Sequence, residues 1–264
     1  METSRTYGIE IECLSTLSHQ ALAALITEAG VPCQQQGYNH NTTTCWKIVN
    51  DGSVMGSGYS TEVVSPVLSG EEGLRQIEIV CRVLGEAGCT INRSCGLHVH
   101  HDARDFKFGN WKRLVKAYAK FEDVLDSFMP ESRRKNNNTY CRSAVIGTLG
   151  GLCEKVNQQT NYVGIKSMIG TRYVKLNVES FLRHGTVEFR HHSGTMDFDK
   201  IANWIKVTQA MVEMSHNPHK DYGYGSSVRN TKAGTFGEFF KALNLSDEIK
   251  GYYKNRVQEV RRVA

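Results

Sequence analysis

Three short segments, each opening on glycine, alternate apolar residues with charged or metal-binding ones. They are Gly8-Ile9-Glu10-Ile11-Glu12, Gly96-Leu97-His98-Val99-His100 and Gly185-Thr186-Val187-Glu188-Phe189-Arg190. Successive side chains of an extended strand point to opposite faces. Glu10 with Glu12, His98 with His100, and Glu188 with Arg190 therefore share a face, while Ile9, Ile11, Leu97, Val99, Val187 and Phe189 turn to the other as core. A sheet that is apolar beneath and lined above with Glu, His and Arg suits metal and phosphate chemistry.

Helical signals separate these strands. Ser18 is a candidate cap for a helix with Leu22, Leu25 and Ile26 inward, ending at Gly30. Ser69-Gly70-Glu71-Glu72 and Thr235-Phe236-Gly237-Glu238 both have capping-box spacing. Asn110 is expected to open a helix that Pro130 stops, Asp197 or Asp199 another, and Ser246 a basic C-terminal one. Thr61–Pro66 reads as a strand, and so does Arg172–Glu179, with Lys175, Asn177 and Glu179 on its polar side. Gln34–Asn41, Asn136–Asn138 and Asn217–Gly234 read as loops. The expected fold class is α+β: a mostly antiparallel sheet, helices on its apolar face and a cleft on the other. One domain is expected over residues 1–264, with its core at about 7–215 and a helical extension at about 235–264.

With 40% hydrophobic and 22% charged residues, the chain has the balance of a folded soluble protein. No apolar run reaches the roughly 18–20 residues of a membrane helix. Met1–Thr6 lacks the apolar core of a secretory signal, so a cytoplasmic protein is expected. The net charge of +5 favours anionic small molecules, and its scattered basic residues do not point to nucleic acid. The eight cysteines form no Cys-x-x-Cys and are read as reduced thiols.

Glu10 and Glu12 lie about 6.5–7 Å apart along a strand. At that distance two carboxylates repel by roughly 2 kcal/mol at an effective dielectric near 20, which invites a cation or an arginine. The bland alternative is a solvated strand face. His98 and His100 are either a structural pair or ligands reaching one cleft. Glu188 and Arg190 either pair across neighbouring strands or divide between a metal and a phosphate oxygen. Glu62 adds an acid, Asp51 sits in a turn signature, and Arg172 and Lys175 add positive charge. Taken together, and assuming that the strands are neighbours, these residues suit a two-metal phosphate site. A two-metal phosphohydrolase or nuclease fits the same residues. So does a non-catalytic nucleotide-binding module.

The ordered set Gly8–Glu12, Asp51-Gly52-Ser53, Thr61–Pro66, Cys95–His100, Lys175-Leu176-Asn177 and Gly185–Arg190 resembles the amidoligase family. That family belongs with the carboxylate–amine ligases related to glutamine synthetase and glutamate–cysteine ligase. The resemblance implies a glutamine-synthetase-like sheet and an ATP-dependent, ADP-forming enzyme that makes an amide through an acyl phosphate, with Mg²⁺ or Mn²⁺. It gives metal roles to Glu10, Glu12, Glu62, His98 and Glu188. Catalytic roles fall to Arg190, Glu188 and His98, and nucleotide contacts to Arg172, Lys175 and Arg134. The implied partners are small-molecule or peptide carboxylates and amines, without a membrane. Neither the substrates nor the oligomeric state follows from it.

Overall fold

The computed structural model describes residues 4–39, 41–145, 147–223 and 225–263, without the side chains of 225–227 and 263. Met1–Thr3 of the polar N-terminal stretch, His40 of the first loop and Tyr224 of the last lie outside the described residues. The fold is α+β, in two compact units, each made of two stretches of chain: residues 1–102 with 192–206, and residues 103–191 with 207–264.

The first unit contains β1 (Tyr7–Ser15), α1 (His19–Glu28), β2 (Cys33–Gln35), β3 (Trp46–Val49), β4 (Tyr59–Val64), α2 (Gly70–Glu86) and β5 (Gly96–Asp102). Its strands lie in the order β2-β3-β4-β1-β5. All neighbours are antiparallel except β2 and β3. The register opposes Ile9 to Val99, Ile11 to Val63 and Leu97, and Ile48 to Val63. Opposed residues share a face, so these side chains form one buried apolar layer. The indole N–H of Trp46, on that face, donates to Gln76 of α2 at 3.1 Å, which ties the helix to it. α2 adds Leu74, Ile77, Val80, Cys81 and Leu84, and α1 adds Leu22 and Ile26. His101 opposes Tyr7 on the core side, where burial, then the charges of Arg5 and His100, push its imidazole down to about 3.

The second unit is organised by α3 (Phe108–Asp126), whose Trp111, Leu114, Tyr118, Phe121 and Leu125 are all buried. Around it come α4 (Leu149–Gln158), α5 (Tyr162–Ile169), β6 (Leu176–Asn177), α6 (Ser180–His184) and β7 (Thr186–Ser193), which begins here. β6 and β7 pair antiparallel, with Asn177 opposite Glu188. α7 (Phe198–Met214) starts in the first unit and ends in the second, followed by α8 (Phe236–Leu243) and α9 (Asp247–Val263). The expected C-terminal extension is packed into this unit: Phe239 meets Phe121 and Phe128, and Tyr253 of α9 lies 4.3 Å from Phe128, ring to ring.

Several local expectations need correction. Ser69 caps α2 without a side-chain bond, and the other half of the box is absent because the Glu72 carboxylate accepts from Arg75 and Gln76. α3 begins two residues earlier than Asn110, which sits at its third position and accepts from Lys107 N–H at 3.2 Å. The strand expected at 172–179 shrinks to the two residues of β6, and α4, α5 and α6 occupy sequence in which no helix was expected. The Ser18 cap and the Thr235–Glu238 box form as expected. Among the described residues no helix is long and apolar enough to cross a membrane, and no disulfide joins any of the eight cysteines.

Candidate functional site

The face of the first unit's sheet opposite its core is built by two registers. β1 against β5 sets Glu10 opposite His98, and β1 against β4 sets Glu12 opposite Glu62. Four groups separated by up to 88 positions in sequence thereby become neighbours. His98 Nδ1 lies 2.8 Å from Glu10 Oε2, and its Nε2 lies 3.4 Å from Glu12 Oε1. His100 opposes Gly8, and its Nε2 lies 3.4 Å from the other Glu10 oxygen. Gly96 N–H donates to Glu12 Oε2 at 2.6 Å, which fixes that carboxylate at the start of β5. Asp51 keeps its turn role, accepting from Ser53 N–H at 2.6 Å, and also reaches the acids.

Two overlapping sets result. Ligand atoms of Glu10, Glu62 and His98 all lie within 4.8 Å of one another, and so do those of Glu12, Asp51 and Glu62. Glu62 belongs to both. Carboxylate oxygens are the donors that Mg²⁺ and Mn²⁺ prefer, so the second set fits either ion, and the first adds an imidazole. The titration of these groups reflects their crowding. Burial pushes the Glu10 carboxyl up, but hydrogen bonds and charge from His100 and His98 outweigh it and hold Glu10 well below the usual range. Glu62 moves the other way: burial first, then the negative charges of Glu10, Asp51 and Glu12, hold it well above. A cation entering this cluster would offset the crowding of negative charge that raises Glu62.

Lys47 is a member that sequence reasoning missed. It is opposed to Val64, which is itself opposed to Glu10, so it shares the acidic face. Its side chain is buried, and Nζ donates to Asn39 O, Asn39 Oδ1 and Asn41 O at 3.2, 3.0 and 2.7 Å. Burial lowers its pKa, against the pull of Glu62 and Glu10. The available signal was a lysine alternating with Trp46 and Ile48 in a strand otherwise fully apolar.

In the second unit Glu188 and Arg190 pair along β7, as one strand face requires. The other Glu188 oxygen accepts from Asn177 Nδ2 at 2.6 Å. Arg172 is exposed and lies over the Tyr173 ring. Arg134 is half-buried and donates from Nε to Met129 O at 2.9 Å, just beyond α3. Lys175 departs from its expected phosphate role. It is fully buried, and Nζ donates to Glu122 and Asp126 of α3 at 2.9 and 2.5 Å. Two buried carboxylates need a counter-charge more than a solvated phosphate does, and they draw the lysine inward.

His191 completes that buried network. Its Nε2 lies 2.6 Å from Asp126 Oδ1, and its Nδ1 lies 2.7 Å from the Tyr118 hydroxyl. Burial, then the bonds and charge of His191 and Lys175, leave Asp126 lowered to about 2. Burial also lowers His191 despite Asp126. In the neutral ring, Nε2–H donates to Asp126 and Nδ1 accepts from Tyr118.

No curated protein is similar to this chain at a significant level. Among solved structures, a bifunctional glutathione synthetase from Pasteurella multocida is similar with a TM-score of 0.48 at 10% identity. The match covers 98% of this chain and 47% of that one, so the chain spans about half its length. A family model described as "Putative amidoligase enzyme" matches residues 3–212. That stretch takes in every strand of both units, and on it the chain belongs to the amidoligase family.

Proposed function

We propose that this chain is an ATP-dependent, ADP-forming ligase that joins a carboxylate to an amine. Membership of the amidoligase family supports a ligase-type enzyme. The observation that carries the finer reading is the pair of overlapping acidic sets sharing Glu62. Glu10, Glu12, Glu62, Asp51 and His98 would hold the divalent ions, and the family resemblance adds Glu188. Bound Mg²⁺ or Mn²⁺ supplies neutralisation of the triphosphate and of charge developing on the transferred phosphoryl group.

The protein's own groups do the positioning. His98 touches both Glu10 and Glu12 and fixes the spacing of their carboxylates. Glu188 holds the Arg190 guanidinium, which we assign to phosphoryl oxygens, and exposed Arg172 supports the nucleotide. Arg134 keeps only a supporting role, since its Nε is bonded to main chain. The substrate carboxylate oxygen attacks the γ-phosphorus as the bond to ADP breaks. The amine nitrogen then attacks the acyl carbon, phosphate leaves, and the amine loses a proton. No protein nucleophile is required.

The test is product analysis with Mg-ATP and pools of amino acids, peptides and polyamines. The expected result is ADP release only when carboxylate and amine are both present, with a matching gain in product mass. Glu10→Gln should abolish that release in a folded protein. ADP release without an amine, or cleavage of nucleic acid without ATP, would replace this reading with a phosphohydrolase.

A further inference from the structure

Three stretches of the second unit are laid side by side by main-chain bonds. Arg142 N–H donates to Tyr173 O at 3.0 Å, Lys175 N–H to Arg142 O at 2.9 Å, and Arg190 N–H to Lys175 O at 2.8 Å. Arg142 and Val174 form a parallel bridge. This ladder brings two aromatic rings together at the surface. Tyr140 and Tyr173 are 49% and 36% exposed, yet their centroids are 5.5 Å apart at 76°, an edge-to-face pair.

The pair is held in place. Tyr140 N–H donates to Asn138 Oδ1 at 2.8 Å, and Tyr140 O accepts from Arg190 Nε at 3.4 Å. The Cys141 thiol donates to Arg190 O at 3.2 Å. The Arg172 guanidinium lies 5.1 Å from the Tyr173 centroid and donates to its hydroxyl at 3.2 Å. Exposed rings with fixed backbones lose little conformational freedom when a flat ligand stacks on them. Neighbouring guanidinium groups select flat ligands that also carry negative charge.

We propose that Tyr140 and Tyr173, with Arg172, form a stacking platform for the planar base of a nucleotide whose phosphates run toward Arg190. The proposal rests on the nucleotide use inferred above and adds the residues that recognise the base. A bare phosphate or an aliphatic amino acid would use the guanidinium groups and leave the rings idle. Base–aromatic stacking accounts for about a five- to hundredfold change in affinity per base.

Calorimetric titration of the full chain with ATP and with inorganic tripolyphosphate, both with Mg²⁺, tests this. Tyr140→Ala and Tyr173→Ala should each weaken ATP at least about fivefold and leave tripolyphosphate within about twofold. Tyr140→Phe and Tyr173→Phe should keep ATP affinity, because the ring face remains. ATP binding within twofold of wild type in both alanine variants would overturn the platform. So would a parallel loss of tripolyphosphate, or a wild type that binds the two ligands equally. In those three cases the ligase reading could still stand. A wild type that binds neither ligand would remove the nucleotide reading itself.

Discussion

Two acidic clusters in this molecule differ in how their charge is balanced. In the second unit Glu122 and Asp126 meet Lys175, and Asp126 also meets His191, which is held by Tyr118. Each carboxylate there has a partner delivered by the fold. In the first unit Glu10, Glu12, Glu62 and Asp51 converge with two imidazoles, while the Lys47 ammonium turns to the carbonyls of Asn39 and Asn41. The first arrangement is closed and holds α3 to β7. The second gathers four carboxylates around two imidazoles, and their mutual repulsion, after burial, raises Glu62.

The largest expected effect breaks the closed cluster. Lys175→Met would leave two buried carboxylates without their lysine and should cost about 3–5 kcal/mol in urea unfolding. A loss under about 1 kcal/mol would mean that the network is not compensated as described.

Acid sharpens the same contrast. Folding depresses Asp126 from 3.8 to about 2, so the folded state binds fewer protons than the unfolded chain between those values. Its contribution of about 2 kcal/mol is present above pH 4 and lost as pH falls through about 2. Urea midpoints of wild type and Asp126→Asn across pH 2–5 should converge at the acid end. Parallel curves would refute the assignment.

The smallest effect concerns the open cluster. Glu62→Gln removes a crowded carboxyl, so the metal-free protein should gain stability, read as a higher urea midpoint. The same change should erase any rise in Tm on adding Mn²⁺. Destabilisation without metal, together with an intact Mn²⁺ response, would place Glu62 in a role like that of Lys175.

These clusters were unequally legible in the sequence. Glu62 gained its role only through the family resemblance. Glu10, Glu12 and His98 stood out because alternation is a local property, and a strand with Ile9 and Ile11 on one side has to present its acids on the other. The Thr235–Glu238 box was legible for the same reason. The matching signal at Ser69 located the start of α2 but not the box itself, since Glu72 accepts from Arg75 and Gln76. Lys175 was misread because its partners lie 49 and 53 positions away on α3. Lys47 was missed because its alternation with Trp46 and Ile48 gives it a face but not the residues opposite it across the sheet.

Side-chain alternation, most helix caps and the motifs of the family are written in neighbouring residues, and nearest-neighbour sterics and hydrogen bonding are enough to read them. Register is not. Whether Glu12 faces Glu62, and whether a lysine meets two buried carboxylates or solvent, depends on which strands and helices come to lie side by side. That outcome is set by burial of the whole apolar face, a sum over distant residues that no short stretch contains.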